Sequence, residues 1–305
     1  MRVATAQRTI LIAGPTASGK SAAALTLAAK SGGEIVNSDA LQVYRDLRVL
    51  SSRPTPAEES QAPHHLFGHI DGRVRYSAGE WSRDAARAIA GIHARGKAAI
   101  VVGGTGLYFR ALERGLSAAP AIPASARAEA AALHAQIGAE KFRERLIAVD
   151  PAMARLDPAD RQRHLRAYEV FLASGRPLSE HQRRPGAPIV ARIDAKIVIE
   201  PPRAALYAAI EARFEQMLAR GGLEEAQALA ARRLDPALPV MKAVGAAELM
   251  VHVKGALTLD EAASLAKRNS RRLAKRQLTW LRNQSSDWPR AASPAEAVEL
   301  CLAVA

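Results

Sequence analysis

The sequence of 305 residues has one cysteine, Cys301, so no disulfide can form within a single chain. That poverty fits a reducing compartment, and the cytoplasm is the expected location. Acidic side chains are also scarce. The 30 Asp and Glu stand against 43 Lys and Arg, a formal net charge of +13. Such an excess favours a polyanionic partner, most simply nucleic acid. No apolar run approaches the ~18 residues a membrane helix needs, so no membrane partner is expected. Arg2 and Arg8 precede a short apolar stretch, but that stretch runs directly into the motif described next. Removing it as a signal peptide would destroy the motif. Internal repeats and low-complexity tails are missing. His64 and His65 are adjacent rather than four apart, a spacing that suits shared metal ligation poorly.

What is present is Gly14-Pro15-Thr16-Ala17-Ser18-Gly19-Lys20-Ser21, which fits the phosphate-binding loop pattern G-x-x-x-x-G-K-[ST]. The glycines let backbone N–H groups curl around phosphate oxygens. Lys20 can reach terminal phosphates, and the Ser21 hydroxyl is a candidate ligand for Mg²⁺. The context agrees: residues 9–13 read as a buried strand, and residues 21–30 as a helix whose N-terminus faces the phosphates. The motif indicates a polyphosphate without specifying ATP.

The first 115 residues alternate strand and helix in the α/β manner. Strands are expected at residues 34–38, 65–67 and 98–102, and helices at 82–94 and 107–114. Ligands of open parallel sheets bind at the carboxyl ends of strands. Residues 116–190 read as a helical insertion punctuated by Pro120, Pro123, Pro151, Pro158, Pro177, Pro185 and Pro188. Helices are expected there over 124–149, interrupted by Gly138, and over 158–174. Residues 191–305 complete the core with a strand at 197–199. A helix with Leu206, Ile210, Phe214 and Met217 on one face follows. Thr258 and Glu261 form a capping-box pattern that opens a long helix to about residue 284.

Four features carry chemistry. Asp39 follows the second strand and should face the phosphate loop, where an acid can act as a general base or hold Mg²⁺ through water. The strand at 98–102 runs into Gly103-Gly104-Thr105-Gly106 with no acid at its end, so it is not a Walker B strand. Thr105 could donate to a phosphate oxygen, although such glycine turns are often purely structural. Lys267, Arg268, Arg271, Arg272, Lys275, Arg276 and Arg282 share one helix with no acid among them. Residues 267-271-275 and 268-272-276 form two adjacent basic stripes, best tolerated beside a polyanion. Gln277 and Trp280 add hydrogen-bonding and stacking options for RNA. Gln162-Arg163-His164-Leu165-Arg166 repeats the theme in the insertion. A solvated basic face is the plainer alternative for the first segment, and a helix surface of mixed charge for the second.

In this order the motifs resemble the tRNA dimethylallyltransferases, over nearly the full length. They are the phosphate loop, Asn37-Ser-Asp-Ala-Leu-Gln-Val-Tyr44, Pro63-His-His-Leu66, Val102-Gly-Gly-Thr-Gly-Leu-Tyr-Phe109, Asp160-Arg-Gln-Arg-His-Leu-Arg-Ala-Tyr-Glu169 and Leu273-Ala-Lys-Arg-Gln-Leu-Thr-Trp-Leu-Arg282. The resemblance implies a P-loop NTPase-like α/β fold with a helical insertion domain that binds tRNA. It implies transfer of a dimethylallyl group from dimethylallyl diphosphate to N6 of the adenine beside the anticodon, at position 37. In this reading Gly14, Pro15, Thr16, Ala17, Ser18, Gly19, Lys20 and Ser21 hold the diphosphate with Mg²⁺. Asp39 is the base and Thr105 assists the departing diphosphate. The anticodon stem-loop meets Asp39, Ala40, Leu41, Gln42, Thr105, Arg127, Gln162, Arg163, His164, Leu165 and Arg166. It also meets Lys275, Arg276, Gln277, Leu278, Thr279, Trp280, Leu281 and Arg282. The chain is expected to act as a monomer.

Three departures from the family stand out. The usual Gly-Thr-x-Lys-Pro reads Leu50-Ser51-Ser52-Arg53-Pro54, and a usual basic site reads Gly245-Ala246-Ala247. With one cysteine the sequence cannot supply the eukaryotic zinc finger, so a bacterial type is expected. Competing readings are a P-loop small-molecule kinase, an isopentenyltransferase acting on AMP, and a nucleotide-gated RNA-binding module. The first two leave the basic C-terminal helix unexplained. The third leaves Asp39 and Thr105 without a role.

Overall fold

Thr9-Ile10-Leu11-Ile12-Ala13 is buried at every position, so both faces of the sheet that contains it are covered. In the computed structural model, which describes residues 7–117, 120–183 and 186–303, it is strand β1 (Thr9–Ala13). It pairs on both sides in parallel. The other strands are β2 (Glu34–Asn37), β3 (His64–His65), β4 (Ala99–Gly103), β5 (Ala195–Ile199) and β6 (Arg290–Ala291). All pairings are parallel, in the order β3-β2-β4-β1-β5-β6. The helices in this part are α1 (Lys20–Ser31), α2 (Pro56–Glu59), α3 (Ala78–Ala94) and α4 (Gly106–Arg114). Between β4 and β5 come α5 (Ala124–Val149), α6 (Arg161–Ser174) and α7 (Leu178–Gln182). After β5 follow α8 (Arg203–Ala219), α9 (Gly222–Ala231), α10 (Ala246–Val253), α11 (Leu259–Gln284) and α12 (Pro294–Ala303).

Alternating strand residues serve the two sheet faces. Ile10, Ile12, Ile35, Ile100, Val102, Ile197 and Ile199 pack with Ala23, Leu27, Ala297, Val298 and Cys301, which puts α1 and α12 on one face. Burial there raises the Cys301 thiol to about 11 and leaves it a packing group. Helix α3 covers β2 and β4. Its Trp81 is fully buried, donates from Nε1 to the Asn37 carbonyl at 2.9 Å and stacks on Tyr108 with centroids 4.1 Å apart.

Several boundaries differ from the sequence reading for local reasons. Helix α3 starts at Ala78 rather than residue 82, because Ser77 and Glu80 form a complete capping box. Helix α6 starts at Arg161 because the Asp160 carboxylate accepts from Arg163 N at 3.1 Å, leaving Pro158 outside. The edge strand β6 is two residues long, too short for any period to show. The box of Thr258 and Glu261 does open α11, and the chain kinks at Gly138, where φ is 80°.

The chain forms two compact units, one of residues up to Glu113 together with Ile189 onward, and one of Arg114–Pro188. The first holds the sheet. The second packs α5 against α6 through Ala130, Phe142, Leu146, Met153, Ala167 and Tyr168. Arg2 and Pro185 lie outside the described residues. Among the described residues, no helix is long and apolar enough to cross a membrane.

Candidate active site

The carboxyl ends of β1, β2 and β4 converge where the chain order reverses, since β4 lies between β1 and β2. The phosphate loop follows β1. A Cβ on Gly14 would sit 2.6 Å from Ser18 Oγ and 2.9 Å from the Ile199 carbonyl oxygen, so the loop closes only around glycine. Gly19 has φ 83° and Ala17 has φ 64°, a left-handed conformation that costs a non-glycine residue of order 1–3 kcal/mol. Ser18 N donates back to the Pro15 carbonyl at 3.3 Å and closes the turn. Helix α1 starts at its edge with no side-chain cap and no acid in its first turn. Ser18 is buried, and its hydroxyl has no hydrogen-bond partner.

Cations gather at this loop. Lys20 donates from Nζ to the Pro15 carbonyl at 3.2 Å. Burial of the ammonium lowers its pKa to about 8; the Asp39 carboxylate opposes the drop and the Arg213 guanidinium adds to it. Arg213, on α8, donates from Nη2 to Thr16 Oγ1 at 2.5 Å, while its buried Nε has no hydrogen-bond partner. Burial lowers its pKa as well, again against Asp39. Two desolvated cations thus share one carboxylate, and the imbalance favours a multiply charged anion. Arg213 is absent from the sequence reading.

Asp39 is fixed by its own turn. Asn37 accepts from Asp39 N at 2.8 Å and donates from Nδ2 to the carbonyls of Asp39 and Leu66, each at 3.0 Å. Asp39 Oδ1 accepts from Leu41 N at 3.0 Å. The Thr105 hydroxyl accepts from Ala40 N at 2.9 Å, and Thr105 N donates to the Ser38 carbonyl at 3.1 Å. Gly103 lies so close to Ser38 that a Cβ would collide with its backbone. The β2 and β4 turns are therefore one bonded unit, with Asp39 and Thr105 beside the cations.

Helix α11 reaches the same place. Gln277 Oε1 accepts from Thr16 N at 2.8 Å, and its Nε2 donates to the Gly104 carbonyl at 3.1 Å. The Trp280 ring lies against Gly106, where a Cβ would overlap it. Both side chains thus face the phosphate crevice. Leu281 is buried, and Leu278 packs near Ala17 and Ile210.

The basic stripes divide. Lys267 pairs with Glu215 of α8, and Arg271 donates to Glu211 of α8 at 2.6 Å. Arg268, Arg272, Lys275, Arg276 and Thr279 are exposed. Arg282 pairs with Glu200, which also holds Arg290. Gln42 donates to the carbonyls of Ser51 and Ser52 at 3.0 and 2.8 Å.

In the insertion unit, Gln162, Arg163 and Arg166 are exposed and Leu165 is half-buried. Arg163 donates to Asp160 at 2.8 Å. Arg127 is half-buried and near enough to Arg166 for its charge to act on that guanidinium, against Glu169. His164 is 2% exposed, with burial first and Arg143 second among the causes that lower its pKa. A side chain so buried cannot meet a partner directly.

The departures have structural counterparts. Arg53 donates to the Tyr44 carbonyl at 3.3 Å and covers Gly68, where a Cβ would overlap its guanidinium. Gly245 takes φ 95° and donates to Glu248 at 2.6 Å, and Ala246 is buried, so this segment is packing.

Among the described residues no three His, Cys, Asp or Glu side chains group to hold a metal ion. The exposed Ser21 hydroxyl and half-buried Asp39 carboxylate are hard oxygen donors of the kind that would suit Mg²⁺. His64 instead bonds the Ala62 carbonyl, and His65 bonds Glu34, each at 2.7 Å.

Comparison with known proteins gives the family. The family model for IPP transferase matches residues 42–284, and that for isopentenyl transferase matches residues 7–67. A tRNA dimethylallyltransferase of Phenylobacterium zucineum is 54% identical over 281 residues, covering 92% of this chain and 91% of the relative. One from Methylobacterium nodulans is 50% identical, covering 96% and 97%. The structure of a tRNA isopentenylpyrophosphate transferase from Bacillus halodurans superposes with a TM-score of 0.68 at 30% identity, covering 98% of this chain and 95% of that one. A eukaryotic dimethylallyltransferase described as acting on tRNA gives a TM-score of 0.77 at 26% identity, over 94% and 74% of the two chains. The parallel sheet, the glycine-bound phosphate loop and these matches agree: the chain belongs to the IPP transferase family of prenyltransferases, with the P-loop NTPase-like fold.

Proposed function

We propose that this protein transfers the dimethylallyl group of dimethylallyl diphosphate to N6 of the adenine at position 37 of tRNA, beside the anticodon. The observation that carries the reading is the pair of half-buried cations, Lys20 and Arg213, at the glycine-bound loop with Asp39 beside them. Relatives at about half identity, named for tRNA as the acceptor, support it.

In this reading the loop from Gly14 to Ser21 cradles the diphosphate. In the reaction, the allylic C–O bond breaks and its electron pair leaves with the diphosphate. Backbone donors of the loop, Lys20 and Arg213 stabilise that charge as it develops. The adenine N6 lone pair forms the new C–N bond. Because that lone pair is delocalised, the amine must lose a proton as the bond forms, and Asp39 accepts it. Thr105 holds the turn that carries Asp39 and lies beside the leaving group. Bound Mg²⁺ would add positive charge on the diphosphate oxygens, held by Ser21 and, through water, Asp39. The adenine leaves its stack to enter the crevice.

RNA is read as meeting Arg268, Arg272, Lys275 and Arg276 of α11, and Arg127, Gln162, Arg163 and Arg166 of the insertion unit. These are exposed or half-buried cationic and polar groups on a chain of net charge +13. A free AMP acceptor would give them no purpose. The test is Asp39→Asn. It should retain both ligands and slow transfer by ~10²–10⁴-fold, the usual contribution of a positioned base. Near-normal turnover would remove Asp39 from that role. Loss of diphosphate binding would make it an organiser of the cation.

A further inference from the structure

Helix α11 has two working faces. One presents Arg268, Arg272 and Arg276 to solvent at i, i+4 spacing. The other carries Gln277, whose carboxamide spans two separate turns, from Thr16 N at 2.8 Å to the Gly104 carbonyl at 3.1 Å. Trp280, three residues on, lies against Gly106. Both hydrogen-bonding ends of Gln277 are therefore occupied within the protein. Thr16 is held twice, its backbone by α11 and its hydroxyl by Arg213 of α8. It is the residue from which the phosphate loop turns into its left-handed segment at Ala17. Gly104 precedes Thr105, whose hydroxyl accepts from Ala40 N beside Asp39. One side chain of the basic helix thus ties the diphosphate loop to the turn that holds the base.

We propose that Gln277 is a positioning residue that couples occupancy of the basic face of α11 to the affinity of the phosphate loop for the allylic diphosphate. The proposal rests on the diphosphate and RNA assignments above. RNA seated on the outer face restrains the helix. Through Gln277 the restraint reaches Thr16 and Gly104, so less ordering remains to be done when the diphosphate binds. Coupling of this kind is reciprocal: whatever factor RNA adds to diphosphate affinity, diphosphate must add to RNA affinity. Gln277 does not itself touch the RNA in this account.

The experiment uses the full chain and an anticodon stem-loop whose target adenine is replaced by unsubstituted purine, which lacks the amine and cannot react. Affinity for dimethylallyl diphosphate is measured with and without saturating stem-loop, in the wild type and in Gln277→Met. Methionine keeps the length and bulk but forms neither hydrogen bond. The wild type should bind the diphosphate tighter with RNA present, within the roughly 5- to 150-fold range of such couplings. In Gln277→Met that ratio should fall to about one, while stem-loop affinity without diphosphate and the melting temperature stay near wild type. An equal coupling ratio in the two proteins, or none in the wild type, overturns the proposal. A wild type that binds no dimethylallyl diphosphate at all overturns the underlying site reading instead. Should Gln277→Met fold poorly, Gln277→Asn gives the same readout, since it keeps the amide but is one methylene too short to reach both turns.

Discussion

Lys20 and Arg213 bring opposite lessons about what a residue reveals. The loop motif places Lys20 by spacing alone, and the structure adds that burial lowers its pKa to about 8. The sign of the consequence is fixed. Below that pH the ammonium is charged and attracts the diphosphate, and above it the charge is lost before any ligand binds. Diphosphate affinity of the wild type should therefore fall as pH rises from 7.5 to 9.5, titrating near 8. In Lys20→Met the affinity should be lower throughout and flat over that range. Binding titrations across the interval check this, and a parallel slope in the variant would assign the titration to another group. Arg213 lies 174 positions beyond Asp39 and reads as one basic residue beside the buried Phe214. A local signal does exist. The residues four before and four after it are Ala209 and Met217, so no acid is placed to pair with it along the helix. Its half-buried setting comes from packing of α8 near Ala17, which no local pattern encodes. Arg213→Ala should weaken diphosphate binding and slow transfer by about ten-fold or more, as removal of a charge-assisted bond implies.

At the scale of the element, α11 was legible as a basic helix but not in its partition. Its stripes look alike in sequence. In the fold, Glu211 and Glu215 of α8 take Arg271 and Lys267, whereas Arg268, Arg272 and Arg276 remain exposed. The same packing turns Gln277 and Trp280 inward, where the composition of the segment suggested RNA contacts. Replacing Arg268, Arg272 and Arg276 with Ala should flatten the salt dependence of stem-loop binding. The log–log slope should drop by about 0.7–0.9 for each phosphate that the helix no longer neutralises. Replacing Lys267 and Arg271 should leave that slope unchanged, because those cations already have carboxylate partners. Binding measured at several salt concentrations separates the two sets. Equal effects would return the whole helix to a general solvated charge. The insertion unit teaches the same point through His164. Its basic neighbours suggested a contact surface, but the α-helical period turns this one residue into the core of α5 and α6 while Arg163 and Arg166 stay outside.

At the scale of the whole molecule, the sheet was the most legible part. Buried β-rich runs ending in glycine turns anticipate parallel strands with a ligand at their carboxyl ends. The register, the two-residue β6 and the return of α12 to the face covered by α1 depend on contacts between distant segments. The site gathers its parts from the same distances: the loop after β1, Asp39 after β2, Thr105 after β4, Arg213 from α8 and Gln277 from α11. A small-molecule kinase could share the loop and an acid, and an AMP prenyltransferase could share the loop, the acid and the allylic donor. The most direct measurement is therefore one of transfer. The protein is incubated with Mg²⁺ and dimethylallyl diphosphate labelled in the allyl group, together with tRNA, AMP and ATP, and label and released diphosphate are followed. Label is expected on N6 of the adenine beside the anticodon, with one diphosphate released per transfer, and none on AMP. Label on AMP, or hydrolysis of ATP without prenyl transfer, would contradict that expectation.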